Sequence, residues 1–582
     1  MSRLILGLNT DHGDSSAALV GDKGIIAAIA DERITRKKHS ADFPAAAIQE
    51  VLRLAGADIS DVTDIAVARD PKANALAKAA FVVKHAESGV PMALNRLKVH
   101  RKVQSTAERI ADHIGCRADS VRGAFHQVEH HYAHIASAFY WSPFERCTGF
   151  SLDGAGDFAT TMWAECEGLD IKILRRSLWP HSLGVFYTAV CQYLGFDRYG
   201  EEYKVMGLSA YGKNTYGAAM RNLVSFHPQL GLRLNLDYYR HHTMRDAFEE
   251  LEDGQVKLPR LWSDEMPRLL GPARKRNEEL DERHRDISAS MQIRYEEVFL
   301  EMVHALGQKT GSRDMVFAGG CALNSVANGR MITEGYADRA YYQPAASDDG
   351  TALGAALHVL HGIHRTPRLE AVNHAYWGTS WTDDEIEQAL RDNGRPYEKL
   401  GIEALTQRCA DQLAQGAILG WFQGREEWGP RALGNRSILC NPGWPDMKAT
   451  LNARIKHRET FRPFAPAVLE EELNTCFEGS HPVPFMIMVY KVRPEWRERL
   501  SAATHEDGTG RVQTVRREDN QPYYDLISAF RERTGIPVLL NTSFNENEPI
   551  VHTPAQAISV FERTRMDCLG IGGFFMKKEA EG

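Results

Sequence analysis

The stretch GFSLDGAGD, residues 149–157, decides how the first two thirds of this chain are read. Gly149 to Leu152 has the apolar character of a strand and runs straight into Asp153-Gly154-Ala155-Gly156-Asp157. Glycine lets a backbone approach a ligand closely, and successive N–H groups in a turn cradle phosphate oxygens. Turn glycines without function are the commoner occurrence, so one such loop decides little. Here the pattern repeats. Leu4 to Leu8 reads as a strand before Asp11-His12-Gly13-Asp14, and Asp314 to Ala318 as a strand before Gly319-Gly320-Cys321-Ala322-Leu323-Asn324. None of the three is a G-x-x-x-x-G-K-[ST] loop, which argues against a P-loop NTPase.

Around these loops, Ser16 to Val20, Gly24 to Ala30 and Val62 to Ala68 read as strands, and Ala45 to Ala55 has helical apolar spacing. Two strand-rich halves, each with a Gly-plus-Asp loop at a strand end, predict an α/β protein whose first domain, residues 1–370, is a duplicated nucleotide-binding domain of the actin-like (ASKHA) type. Residues 213–290, rich in Arg, Glu, His and Asp, read as mostly helical surface or an insertion. Pro367 to Thr382 has the signals of a linker. A second α/β pattern follows over 380–582, with a helix from Asp383, a strand Ile418 to Phe422 and a helix from Asp446.

Composition narrows the class. With 582 residues, 43% hydrophobic and 25% charged, the chain is an ordinary globular one of several domains, and whole-chain disorder is excluded. Its net charge of −8 gives no support for nucleic acid or an anionic membrane as partner. The best apolar stretch, Gly184 to Phe196, is too short to span a bilayer, and MSRLILGLN at the start reads as a strand and not a secretory signal. Nine cysteines without a C-x-x-C pair point to reduced thiols and a cytoplasmic location.

Three further constellations carry chemistry. In His126-Gln-Val-Glu-His130-His131-Tyr-Ala-His134, His130 and His134 share one helical face, with a gap that a divalent metal can bridge. The bland alternative is a polar helix start. A further ligand must come from far away, and Asp348, in the loop Pro344 to Gly350, is a candidate donor. Between Arg425 and Arg462, eight basic residues (Arg425, Arg431, Arg436, Lys448, Arg454, Lys456, Arg458, Arg462) face four acids. Arginine forks match phosphate oxygens in pairs, and the alternation Phe461-Arg462-Pro463-Phe464 predicts partly buried arginine in need of an anion. Last, Leu539 to Asn545 reads as a buried strand ending in a polar turn, either a plain capped turn or a set of neutral donors for a small ligand.

Taken in order, HHYAH at 130–134, SLG at 182–184, EYKVMGL at 202–208, GG-x3-N at 319–324, ASDDG at 346–350, GREEWGPRALGNRS at 424–437, KHRETFRPFAP at 456–466 and LNTSFN at 540–545 resemble the O-carbamoyltransferases of the NodU/CmcH type, over essentially the whole chain. The resemblance implies an actin-like domain similar to the tRNA threonylcarbamoyl transferase, followed by a YrdC-like α/β domain. The second domain would take carbamoyl phosphate and ATP to carbamoyl-AMP; the first would pass the carbamoyl group to a hydroxyl of a small-molecule acceptor, in secondary-metabolite or glycan biosynthesis.

By motif position, Lys456, Arg462, Arg511, Ser543 and Arg431 would hold carbamoyl phosphate. Gly154, Lys204, Gly319, Gly320 and Asn324 would line the nucleotide. His130, His134 and Asp348 would take a divalent metal, ferrous iron first, with Mg2+ accompanying ATP. The family shows His-Asp-(Ser/Ala) before its alanine-rich strand; here the run is His12-Gly13-Asp14-Ser15, with the histidine displaced by one residue. His12 is the expected general base, with Asp11 and Asp14 as alternatives. Competing readings are a tRNA threonylcarbamoyl transferase and a non-catalytic actin-like ATP-binding regulator. The acceptor, its hydroxyl and any homo-oligomer are not legible.

Overall fold

Leu4–Asn9 (β1, LILGLN) has five of its six residues buried, which suits a central strand covered on both faces. Ser16–Gly21 (β2) and Gly24–Ala30 (β3) follow as antiparallel neighbours, and Asp64–Val67 (β4) and Ala124–Gln127 (β5) add on the other side in parallel. The sheet order is β3-β2-β1-β4-β5. A computed structural model describes residues 3–85, 105–244, 249–250, 256–368 and 370–578, in two units, Met1–Val372 and Asn373–Gly582.

The first unit then repeats itself. Arg146–Gly156 (β6), Ala159–Glu167 (β7) and Asp170–Leu178 (β8) form an antiparallel meander. Next come two small hairpins, Val224–His227 (β9) with Gly231–Leu234 (β10), and Glu249–Glu250 (β11) with Val256–Lys257 (β12). Asp314–Ala318 (β13) and Arg339–Tyr342 (β14) complete the second sheet in parallel with β6, in the order β14-β13-β6-β7-β8. Read from its first strand, this is the same order and the same set of directions as the first sheet, so the expected duplication is present.

Two expectations are corrected. Residues 213–290 are not mostly helical: β9 to β12 lie there, because Leu232 and Leu234 alternate into the core while Arg233 faces out. Asp153–Gly156 is not a loop. β6 runs on through it, with an irregular register to β7, and the chain turns only at Asp157 and Phe158, both at positive φ.

Two helices cross over between the halves. His130–Phe139, which follows β5, packs on β6 and β13; Asp349–Leu357, which follows β14, packs on β1 and β2. They meet each other closely: a Cβ on Gly354 would sit 1.8 Å from the Ala133 carbonyl oxygen, so only glycine permits the approach. The second unit is built on a nine-stranded mixed sheet. Its strands are Glu398–Lys399 (β15), Leu419–Phe422 (β16), Arg436–Cys440 (β17), Ala465–Leu469 (β18), Met488–Lys491 (β19), Thr509–Val515 (β20), Val538–Ser543 (β21), Cys568–Ile571 (β22) and Phe574–Lys577 (β23). Their order is β15-β23-β22-β16-β17-β21-β18-β20-β19. Ala375 to Thr379, read as linker, is bound into this unit: the Thr379 carbonyl accepts from the Glu426 N–H. Among the described residues no helix is long and apolar enough to cross a membrane.

Candidate functional site

Glu129 caps the helix His130–Phe139 by accepting from the Tyr132 N–H, and Asp157 accepts from the N–H of His130. The 3.6-residue period then stacks His130 and His134, with their Nε2 atoms 3.1 Å apart. Asp153 from β6 and Asp348 from the start of the helix Asp349–Leu357 close the set. Their carboxylates lie 3.4 Å from His130 Nε2, and 3.7 Å and 3.5 Å from His134 Nε2. All four side chains are buried, with the converging ligand atoms within 4.8 Å of one another. The structure thus joins the three residues nominated for a metal and adds Asp153, which was read only as part of a phosphate loop. Gly156 makes room: a Cβ there would fall 2.0 Å from the ring of His130.

The electrostatics follow from burial. Two carboxylates in a dry site demand positive charge. Burial opposes the charged ring of His130, yet Asp348 and Asp153 outweigh it and hold its pKa well above the histidine range. Asp348 is held well below the carboxylate range, burial being outweighed by His12 and His130. Asp348 Oδ1 is buried and accepts no hydrogen bond. Two imidazole nitrogens and two carboxylates, one of which aims its orphaned oxygen into the cluster, fit a divalent cation in place of the protons. His131 is different: it pairs with Ser151 Oγ at 2.8 Å, and burial together with the nearness of His130 and His134 brings it down to about 3, so it belongs to the core.

His12 reaches this cluster, its Nδ1 bonded to Asp348 Oδ2. The two alternatives are engaged elsewhere. Asp11 accepts both guanidinium ends of Arg109, at 2.7 and 3.2 Å, and Asp14 pairs with His39 Nδ1 at 2.6 Å and Ser347 Oγ at 2.8 Å. Burial works against the charge of His39, but Asp14 and Glu32 raise its pKa to about 9. Of the nucleotide-lining set, the Gly320 N–H donates to Asp153 Oδ1 at 3.0 Å, the Gly319 N–H donates to the Ala346 carbonyl, and the space over Gly154 is open. Asn324 turns its side chain inward, capping the helix Ser325–Thr333 and pairing with Gln292 through both amide ends. Lys204 is ion-paired with Glu201 at 2.8 Å.

In the second unit, Lys456 is buried at the end of the helical segment Asn452–Lys456. Its Nζ donates to the Ser543 carbonyl at 2.7 Å, the Asn545 carbonyl at 2.6 Å and Asn545 Oδ1 at 2.8 Å, with Ser543 Oγ at 3.4 Å. So Lys456 and Ser543 come together. Arg462 lies 3.5 Å from Glu459, Arg511 is on β20, and Arg431 sits in the loop before β17. That loop is shaped by a residue the sequence reading missed. Glu427 Oε1 accepts from the N–H groups of Leu433, Asn435 and Arg436, at 2.8, 2.7 and 3.0 Å. The acid pair Glu426-Glu427 just before Trp428-Gly429-Pro430 was the available signal. Arg436, one of the eight basic residues of this segment, is wholly buried. Its guanidinium donates to the carbonyls of Gln423, Asn435, Thr379 and Gly424 and lies 3.8 Å from the Phe422 ring centroid.

A duplicated α/β unit with a buried His/Asp cluster, followed by a second α/β unit, belongs here to a transferase, as two family matches show. Residues 4–357 match the carbamoyltransferase N-terminus family and residues 410–578 the carbamoyltransferase C-terminus family. The chain belongs to the carbamoyltransferase family, among the O-carbamoyltransferases of the NodU/CmcH type. It is 38% identical to nodulation protein NolNO of Sinorhizobium fredii over 98% of this chain and 80% of that one. It is 36% identical to an uncharacterized protein of Synechocystis over 99% of this chain and 97% of that one. The 3'-hydroxymethylcephem-O-carbamoyltransferase of Amycolatopsis lactamdurans is 36% identical over 40% of this chain and 42% of its own.

Proposed function

We propose that this carbamoyltransferase is ATP-dependent and moves the carbamoyl group of carbamoyl phosphate, through carbamoyl-AMP, to a hydroxyl of a small-molecule acceptor. The observation that carries the reading is the convergence of His12, His130, His134, Asp153 and Asp348 at one buried point of the duplicated unit. The duplicated sheets support an actin-like first unit, and Lys456 beside Ser543 supports a YrdC-like role for the second. In that second unit, water and carbamoyl phosphate give inorganic phosphate and carbamate, held by Lys456 and Ser543 with Arg431, Arg462 and Arg511. A carbamate oxygen then attacks the α-phosphorus of ATP, and pyrophosphate leaves. Carbamate is short-lived in water, so an enclosed transfer is required.

Carbamoyl transfer follows in the first unit, with the adenylate against Gly154, Gly319 and Gly320. The acceptor oxygen attacks the carbamoyl carbon, its proton passes to His12, and AMP departs. His12 suits that task because Nδ1 is committed to Asp348, which fixes the tautomer and leaves Nε2 as the accepting nitrogen. His130, His134, Asp153 and Asp348 would hold a divalent cation, ferrous iron being the first candidate, and it would supply positive charge for the phosphoryl and carbonyl oxygens.

The decisive experiment omits the acceptor. The protein is incubated with carbamoyl phosphate, ATP and a divalent metal, pyrophosphate is assayed, and carbamoyl-AMP is sought by mass spectrometry. Pyrophosphate that depends on carbamoyl phosphate is the expected result. A folded protein that releases none, with or without candidate acceptors, would overturn the reading.

A further inference from the structure

A cavity of about 400 Å³ opens in the first unit between the helix Ala75–Lys84, strand β8 and the β9–β10 hairpin. Its lining has no acidic residue among the described residues, yet it carries Lys84, Arg175, Arg176 and Arg233, in a chain whose net charge is −8. Arg175 donates to the Pro228 and Gln229 carbonyls and is held in the wall. Lys84, Arg176 and Arg233 are exposed and, among the described residues, meet no carboxylate within ion-pair distance. The positive charge is felt by the neighbours: besides burial, Arg233 and Lys84 help bring His181 down to about 4. Beside the cations, Phe81 and Trp179 give the same cavity flat apolar walls.

The cavity adjoins the His/Asp cluster along two separate segments. Phe158, in its wall, follows Asp157, whose carboxylate holds the N–H of His130. His181, also in the wall, precedes Ser182, whose hydroxyl donates to the Asp153 carbonyl. Two residues span at most ~7 Å of chain, so two short stretches tie the wall of the cavity to residues that hold the cluster in place.

We infer that this cavity is the acceptor subsite, and that the acceptor carries an anionic group, phosphate above all, joined to a ring or other flat apolar part. The inference rests on the carbamoyl-transfer reading and names its substrate class. Arginine forks and an ammonium recognise phosphate oxygens, while aromatic faces take the body of the molecule.

Phenyl phosphate, benzoate and phenol serve as probes, titrated calorimetrically into the full chain with carbamoyl phosphate saturating, so that the second unit's anion site is filled. Saturable binding of phenyl phosphate, tightest of the three and weakened at least 10-fold in both Arg233→Ala and Lys84→Ala, is expected. Acceptor-independent pyrophosphate release should be unchanged in those exposed-residue variants. Benzoate binding more tightly than phenyl phosphate, with the same losses, would keep the anionic acceptor and assign it a carboxylate. Phenol binding as tightly as phenyl phosphate, or anion binding indifferent to both substitutions, would overturn the inference while pyrophosphate release left the proposed activity standing. It would equally fall if Arg233→Ala raised the KM for ATP, because the cavity would then serve the nucleotide.

Discussion

Replacing Gly156 by alanine tests whether the His/Asp cluster depends on the packing seen in β6. The added methyl would lie 2.0 Å from Cδ2, 2.2 Å from Cγ and 2.6 Å from Nε2 of His130, where carbon atoms need ~3.5–4.0 Å. The ring must therefore retreat by roughly 1.5 Å from a place fixed by Asp157, His134, Asp153 and Asp348. Losing one charge-assisted pair costs about 1.5–3 kcal/mol, and an off-rotamer ring about 0.5–1.5 kcal/mol more. Alanine recovers about 0.4–1 kcal/mol by restricting the unfolded chain. The net loss is about 1–4 kcal/mol, which in a unit of this size lowers the melting midpoint by about 1–5 °C. Gly154→Ala is the matched control, since its methyl would meet nothing within 4 Å. Scanning calorimetry of both variants, with titration of a divalent metal, should show Gly156→Ala melting lower and binding metal at least 10-fold more weakly, and Gly154→Ala keeping both properties. Equal midpoints and equal metal affinities would refute the argument.

Lys456→Met keeps the volume of a buried side chain but removes its charge, so carbamoyl-phosphate-dependent pyrophosphate release should fall to background while the first unit still takes up metal; undiminished release would contradict the assigned role. Glu427→Ala leaves three buried N–H groups without their acceptor, at about 1–3 kcal/mol each, whereas Glu427→Gln retains an oxygen there. Urea titration followed on the second unit's transition should show a large loss for alanine and a small one for glutamine, and indistinguishable variants would count against the loop's dependence on this acid. The His39–Asp14 pair raises a histidine pKa on folding, so its contribution is complete below about pH 6.5 and fades as pH rises through about 9. For a ring partly open to solvent, that is worth about 1–2 kcal/mol. The stability gap between wild type and His39→Gln, measured from pH 6 to 10, should close toward the alkaline end; a constant gap would sink the assignment.

Much of the first unit was legible because local pattern and final structure agree there. Ala45 to Ala55 buries Ala47, Ile48, Val51 and Leu52 on one helical face, and Gly24–Ala30 and Asp314–Ala318 are strands at the positions their composition indicates. The hairpins within 213–290 escaped notice because their strands are four residues or fewer, too short for alternation to stand out among charged neighbours. At the site, His130 and His134 were visible because four residues make one helical turn. Asp153 was misjudged because the sequence shows a glycine-rich acid segment without showing that the strand continues through it. The partners of Arg436 and Asn324 were not legible, because the carbonyl and amide groups that meet their side chains, such as Thr379 and Gln292, are distant in sequence.

The crossed helices of the first unit have a consequence for the nascent chain. The faces of β1 and β2 are laid down near the start, but one of them is covered by Asp349–Leu357, which arrives about 340 residues later. At 5–20 residues per second, that strand pair spends roughly 20–70 s with an apolar face uncovered. Synthesis, and not only the finished fold, therefore exposes this chain to aggregation, and a chaperone that shelters the first sheet on the ribosome should raise the yield of active enzyme more than one supplied after release.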